Sequence, residues 1–82
     1  MFAERSVTIS GVEFGYIMGR TGELQLYVAM LDAGWTDWPM LHPDGRMVWD
    51  APERIPNWAK DIAYDLLEGI RTLDDLAKEV CA

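Results

Sequence analysis

The chain has 82 residues, half of them apolar, and its fourteen acidic side chains against seven basic ones give a net charge of −7. That length is enough for one small core and too short for two lobes with a cleft between them, and the acidic balance repels phosphate backbones, which argues against direct DNA or RNA binding. A lone cysteine, Cys81, excludes an intramolecular disulfide and a cysteine metal cluster.

From the start of the chain, Val7, Ile9, Val12, Phe14, Tyr16 and Met18 alternate with smaller or polar residues, which reads as strand. The parity changes at Ser10-Gly11, which marks a bulge or tight turn. Gly19 to Gly22 is turn-compatible, and Leu24, Leu26, Val28 and Met30 alternate after it. Residues 12–18 and 23–30 are therefore expected to form an antiparallel hairpin, with Gln25 and Tyr27 on its wet face. The first ten residues lack a basic start followed by an apolar core, and no stretch approaches the roughly 20 apolar residues of a membrane span. The expected location is cytoplasmic, with no membrane contact.

Leu31 to Gly34 is a connector. Beyond it, in WTDWPMLHPDGRMVWD, Pro43-Asp44-Gly45 separates two apolar runs. Proline presets φ for a turn, aspartate can bond its own backbone and glycine takes the left-handed position, so this is a strong hairpin signal. The implied register pairs His42 with Arg46, Leu41 with Met47, Met40 with Val48 and Pro39 with Trp49. Both resulting faces are apolar, so the hairpin either fills a two-sided core or presents an aromatic patch to a partner. Pro39 lacks an N–H, which places residues 37–42 at the edge of the sheet.

Asp50 to Pro56 reads as a rigid crossover. From Asn57 the apolar period becomes helical: Trp58, Ile62, Leu66 and Ile70 recur every four residues, with Ala59, Ala63 and Leu67 beside them. Asn57 fits an N-cap, and Gly69 fits the left-handed stop, with Ile70 folding back on the helix. Thr72 and Asp75 resemble a capping box for a second helix, whose buried face would be Leu73, Leu76, Ala77 and Val80. The expected fold is one α+β domain over residues 1–82. A three- to four-stranded, mostly antiparallel sheet within residues 6–50 precedes two C-terminal helices, about 57–68 and 73–80, packed on one face.

No catalytic or cofactor chemistry is legible. His42 has no second histidine to complete a common zinc set, and it sits at a turn without a nucleophile beside it. Neither phosphate-binding glycine motif occurs. The chain is expected to be neither an enzyme nor the carrier of a cofactor or metal.

The acids and tryptophans carry the remaining signal. Residues 31–82 hold eleven of the acids. Asp74 and Asp75 suit the positive end of the last helix, and Asp74 can reach Lys78. Asp61, Asp65 and Glu68 form a stripe of like charge on the longer helix with only Lys60 to offset it. Trp58 fits the core, whereas Trp35, Trp38 and Trp49 exceed what so small a core buries easily, and exposed tryptophan anchors interfaces. The expected partner-binding residues are Asp37, Trp38, Asp44, Trp49, Asp50, Asp61, Asp65 and Glu68.

A small acidic chain with a short sheet, C-terminal helices and these candidate anchors resembles the small inhibitors of phages and mobile elements, above all the anti-CRISPR proteins of type I systems. The resemblance is one of style over the whole chain and rests on no single motif. It implies an inhibitor that occupies a basic surface of a CRISPR effector complex, on its backbone or large subunit, and blocks target DNA. Asp61, Asp65 and Glu68 would then stand in for phosphates, with Trp38 or Trp49 as the apolar anchor. Two other readings fit the same residues: an immunity protein or antitoxin against a basic toxin, and a homodimeric accessory subunit. The oligomeric state expected across them is monomer or weak homodimer.

Overall fold

The computed structural model describes residues 3–81. Four strands, β1 (Ala3–Ile9), β2 (Val12–Met18), β3 (Leu24–Met30) and β4 (Trp35–Asp37), form an antiparallel meander in the spatial order β1-β2-β3-β4. The parity break is a two-residue turn. Ser10 and Gly11 both have positive φ, 48° and 80°, which matches the right-handed twist of the two flanking strands. The β2–β3 hairpin has the expected register, from Val12 opposite Met30 to Met18 opposite Leu24.

Two helices follow, α1 (Asn57–Glu68) and α2 (Leu73–Cys81), and with the sheet they make the α+β fold expected from the order of the elements. The sheet face carrying Val12, Phe14, Leu26 and Val28 forms one core with both helices. The inward stripe of α1 is Ala59, Ala63 and Leu66, rotated from the expected Trp58–Ile62–Leu66–Ile70 ridge. Alanines let the helix backbone approach the sheet closely, and there is then no room for an indole beneath it. Trp58 instead lies at the flank, exposed on one side and edge-on to Phe14 at 6.4 Å between ring centroids.

The helix ends follow local rules with two corrections. Pro56, with extended backbone, holds the N-cap position of α1, and Asn57 is already helical. Gly69 stops α1 at φ 79°. The N–H groups of Ile70 and Arg71 then fold back onto the Asp65 carbonyl, but the Ile70 side chain is exposed rather than packed on the helix. Thr72 and Asp75 cap α2 reciprocally: the Thr72 N–H donates to the Asp75 carboxylate at 2.9 Å, and the Asp75 N–H donates to the Thr72 hydroxyl at 3.2 Å. Those bonds hold the Asp75 carboxyl below its ordinary range. Leu73 and Leu76 are buried, whereas Val80 is exposed. Cys81 ends α2, and its side chain lies outside the described residues. Asp74 pairs with Arg5 of β1 rather than with Lys78.

The proline-turn hairpin is present but stands apart from the main sheet. β5 (Met40–Leu41) and β6 (Met47–Val48) form their own two-stranded sheet with the expected pairs. Gly45 is left-handed at φ 88°, and the Arg46 N–H bonds the Asp44 side chain at 2.9 Å. Edge position in the main sheet falls to β4 and not to residues 37–42. The ladder stops at Trp38-Pro39, where proline has no N–H to continue it. Pro39 is fully buried, and its carbonyl accepts the Gln25 side-chain amide.

The sheet face opposite the helices is also partly covered. Tyr27 was expected in water but is buried, lying over Gly15 with Trp38 against it at 5.9 Å. Its hydroxyl donates to Glu13 at 3.1 Å. Burial, and then the Glu13 hydrogen bond and charge, raise the phenol pKa. A Cβ at Gly15 would come within 2.6 Å of the tyrosine oxygen, so the glycine is required by its neighbour.

Gly15→Ala is expected to lower unfolding free energy by about 1–3 kcal/mol in urea titrations, and the loss should shrink in a Tyr27→Ala background, where the clash is gone. Because folding favours the neutral phenol, the contribution of Tyr27 is complete below the normal tyrosine pKa and is lost as pH rises through the raised folded value. Stability should therefore fall above the normal phenol range, and Tyr27→Phe should flatten that decline when denaturation is followed against pH.

Candidate functional site

The eight sequence-derived candidates separate into structural and surface groups. Asp37 is a structural residue. It is 0% exposed, and its two carboxylate oxygens accept the backbone N–H groups of Asp50 and Ala51, each at 3.0 Å. The Trp35 indole N–H approaches the same carboxylate at 3.5 Å. A carboxylate taken out of water needs such donors, and these two N–H groups need an acceptor once the crossover packs against the sheet. The result is a clamp between the end of β4 and the start of the crossover. Arg54, in the single 3-10 turn Pro52–Arg54, lies 4.4 Å above the Trp35 ring and adds a cation–π contact to the same junction.

Trp49 and Asp65 are likewise committed inside the molecule. Trp49 is half-buried and packs on the core together with Met47. Asp65 accepts the Arg71 Nε–H at 2.9 Å, and the same guanidinium reaches Glu79 at 3.1 Å. Burial alone would lower the Arg71 pKa, but Glu79 and Asp65 outweigh it and raise the value. The expected acidic stripe on α1 therefore has its middle member neutralised from the loop after the helix. That pairing crosses elements, so spacing along the helix gave no sign of it.

Trp38, Asp44, Asp50, Asp61 and Glu68 remain at the surface. The hairpin resolves into one inward and one outward face. Met47 and Trp49 pack on the core, while Met40 at 60% exposure, Val48 at 39% and Trp38 at 38% face outward. Met40 and Val48 are direct cross-strand partners, so two of the three apolar side chains form one unit. Asp44 at the turn tip and Asp50 just beyond β6 are exposed at the two ends of this unit. The arrangement is an apolar centre with acids at its limits, as in a small interface whose core excludes water and whose rim is polar.

A second feature is an open depression of about 270 Å³ between β1, β2 and the α1–α2 junction, lined by Arg5, Tyr16, Leu66, Arg71, Thr72 and Asp74. Its arginines are both paired with carboxylates, and the Tyr16 hydroxyl donates to the Leu66 carbonyl at 3.3 Å. These groups serve the packing of α2 and do not converge on a common point in the cavity. Among the described residues no three acidic, histidine or cysteine side chains gather as a metal site, and no helix is long and apolar enough to cross a membrane. No protein-family model, curated protein or solved structure matches the chain.

Asp37→Ala leaves two N–H groups without their acceptor, that of Ala51 buried and that of Asp50 part-buried, and is expected to cost about 2–4 kcal/mol in unfolding free energy. Asp37→Asn keeps one acceptor and should cost less. Amide exchange at Asp50 and Ala51 should accelerate in both variants ahead of exchange in β2 and β3.

Proposed function

We propose that the chain is a non-catalytic binding protein that occupies a basic, nucleic-acid-binding surface of a protein complex, in the manner of the anti-CRISPR proteins acting on type I effectors. The observation that carries this reading is the outward hairpin face, Trp38, Met40 and Val48, with Asp44 and Asp50 at its ends. Tryptophan and methionine there supply contact area that adapts to a partner. The acids steer the chain toward positive charge and away from nucleic acid itself.

Bonds to other elements or a helix cap engage Asp37, Asp65, Asp74, Asp75, Glu79 and Glu13, and the contact residues in this reading are the exposed acids Asp44, Asp50, Asp61 and Glu68. Asp61 and Glu68 on α1 are exposed, and Glu68 lies close enough to Tyr64 for its charge to raise that phenol's pKa. They give a second anionic contact on a different element from the hairpin. The mode of action is competition, with carboxylates taking the place of target phosphates on the partner's basic groove.

The test uses a purified type I effector complex with its guide RNA and a labelled target duplex. The chain should displace the target, with inhibition weakening as salt rises. Trp38→Ala should weaken inhibition by about 2 kcal/mol, the scale of an interface anchor, in protein that is still folded although its unfolding midpoint falls with the lost Tyr27 contact. Asp61→Lys with Glu68→Lys, and separately Asp44→Lys with Asp50→Lys, should each weaken it at least about tenfold. Undiminished target binding in the presence of excess chain would sink the effector reading, and full inhibition by both charge-reversed pairs would sink competition by charge.

A further inference from the structure

The two edges of the main sheet are treated differently. β4 is three residues long, and the crossover is clamped against it through Asp37. β1 is seven residues long, its register shift lies between Ala3 and Arg5, and from Arg5 to Ile9 it pairs regularly with β2. That segment contains no proline and no lysine, the devices that usually block strand addition at an edge.

The direction of the free backbone groups follows from the hairpin. The Leu31 N–H donates to the Gly11 carbonyl at 3.0 Å, which makes Val12–Met30 a pair that exchanges no hydrogen bonds and turns the N–H and C=O of Val12 toward β1. Ile9, opposite Val12, is then bonded inward, and by alternation so are Val7 and Arg5. The N–H and C=O of Ser6 and Thr8 point out of the sheet, and both residues are exposed.

We propose that this edge binds a second copy of the chain, β1 against β1, antiparallel about a two-fold axis. In the register that satisfies all four outward groups, Ser6 faces Thr8 of the second copy and Val7 faces Val7. The pairing is self-complementary on both faces, with hydroxyl against hydroxyl on one side and valine against valine on the other. It is also electrically quiet where the copies meet. Arg5 is engaged by Asp74, and no other charged residue lies between Arg5 and Ile9. Because α2 packs on β1, the axis brings the two α2 helices to the same side of the joined sheet. Val80, which continues the Leu73–Leu76 stripe yet is 47% exposed, gains neighbours on that side. A strand pair with one helix contact is a small interface, so the dimer is weak.

The experiment is sedimentation equilibrium of the full chain from low micromolar to about 1 mM, at low and high salt, with amide exchange measured over the same range. The expected result is a reversible monomer–dimer equilibrium that tightens with salt, because screening reduces the repulsion between two chains of charge −7. That response is opposite in sign to the salt dependence of binding to a basic partner, so the two proposals fail separately. Ser6 and Thr8 amides should gain protection with concentration, while Val7 stays protected throughout. Thr8→Pro removes an outward N–H without breaking a bond to β2 and should abolish the dimer. Should that variant not fold, Ser6→Lys with Thr8→Lys keeps the backbone and should have the same effect. A single-chain mass at every concentration and salt, or a dimer that persists in a folded edge variant, would overturn the proposal.

Discussion

Asp37 receives two backbone N–H groups from residues thirteen and fourteen positions further along the chain, and much of the architecture turns on that closure. Between the carboxylate and its donors lies the whole of the separate hairpin, so the clamp sets where the hairpin begins and ends. By holding Asp50 and Ala51, it also aims the crossover so that Ile55 enters the core and α1 packs against β3. A neutral side chain of the same size accepts at most one of the two N–H groups well. The negative charge is thus tied to a structural task, although it sits in a stretch whose other acids are at the surface.

The acidity of the chain accordingly has two origins. Asp37, Asp65, Asp74 and Asp75 answer donors or cations within the fold: backbone N–H groups, Arg71, Arg5 and a helix start. Asp44 does local work through its bond to Arg46, yet remains exposed. Asp61 and Glu68 have no cation bonded to them among the described residues, Glu68 has only the neutral Tyr64 phenol beside it, and their charge faces solvent. Ion pairs as exposed as Arg5–Asp74 add little stability. The Arg71 pairs are better shielded and join the end of α1 to α2, which gives the internal charges a role in orientation more than in bulk stability.

Local signals were the most legible part of the fold. Ser10-Gly11, Pro43-Asp44-Gly45, Gly69 and the Thr72–Asp75 box all act where their residue chemistry places them, since each depends on neighbours within a few positions. Registers followed from those turns. What did not follow was which face of each element the rest of the chain would cover. Trp58 has the spacing of a core residue, but alanine-mediated closeness between α1 and the sheet displaced it. Tyr27 has the spacing of a surface residue, but Gly15, its direct partner on the neighbouring strand, made space for it. Among the candidate contact residues, Asp37 and Asp65 were indistinguishable from Asp50 and Asp61 by spacing, because their partners are backbone groups and an arginine brought in from other elements. Trp49 was separated from Trp38 only by the direction in which the hairpin leans on the core.

The meander has a bearing on the order in which the molecule assembles. Each of its four strands lies beside the one before it, so every ladder closes over a short turn and carries little loop-closure entropy. The contact of α2 with β1 is of another kind, since the Arg5–Asp74 pair spans 69 positions. A chain built this way can form its sheet early from local pairings and gains its longest-range contacts last, when α2 docks on the first strand. In such a sequence β1 is the strand that waits: paired on one side almost at once, it receives its helix only at the end. Until α2 docks, the side of β1 that the helix covers in the folded chain is as open as its outer edge.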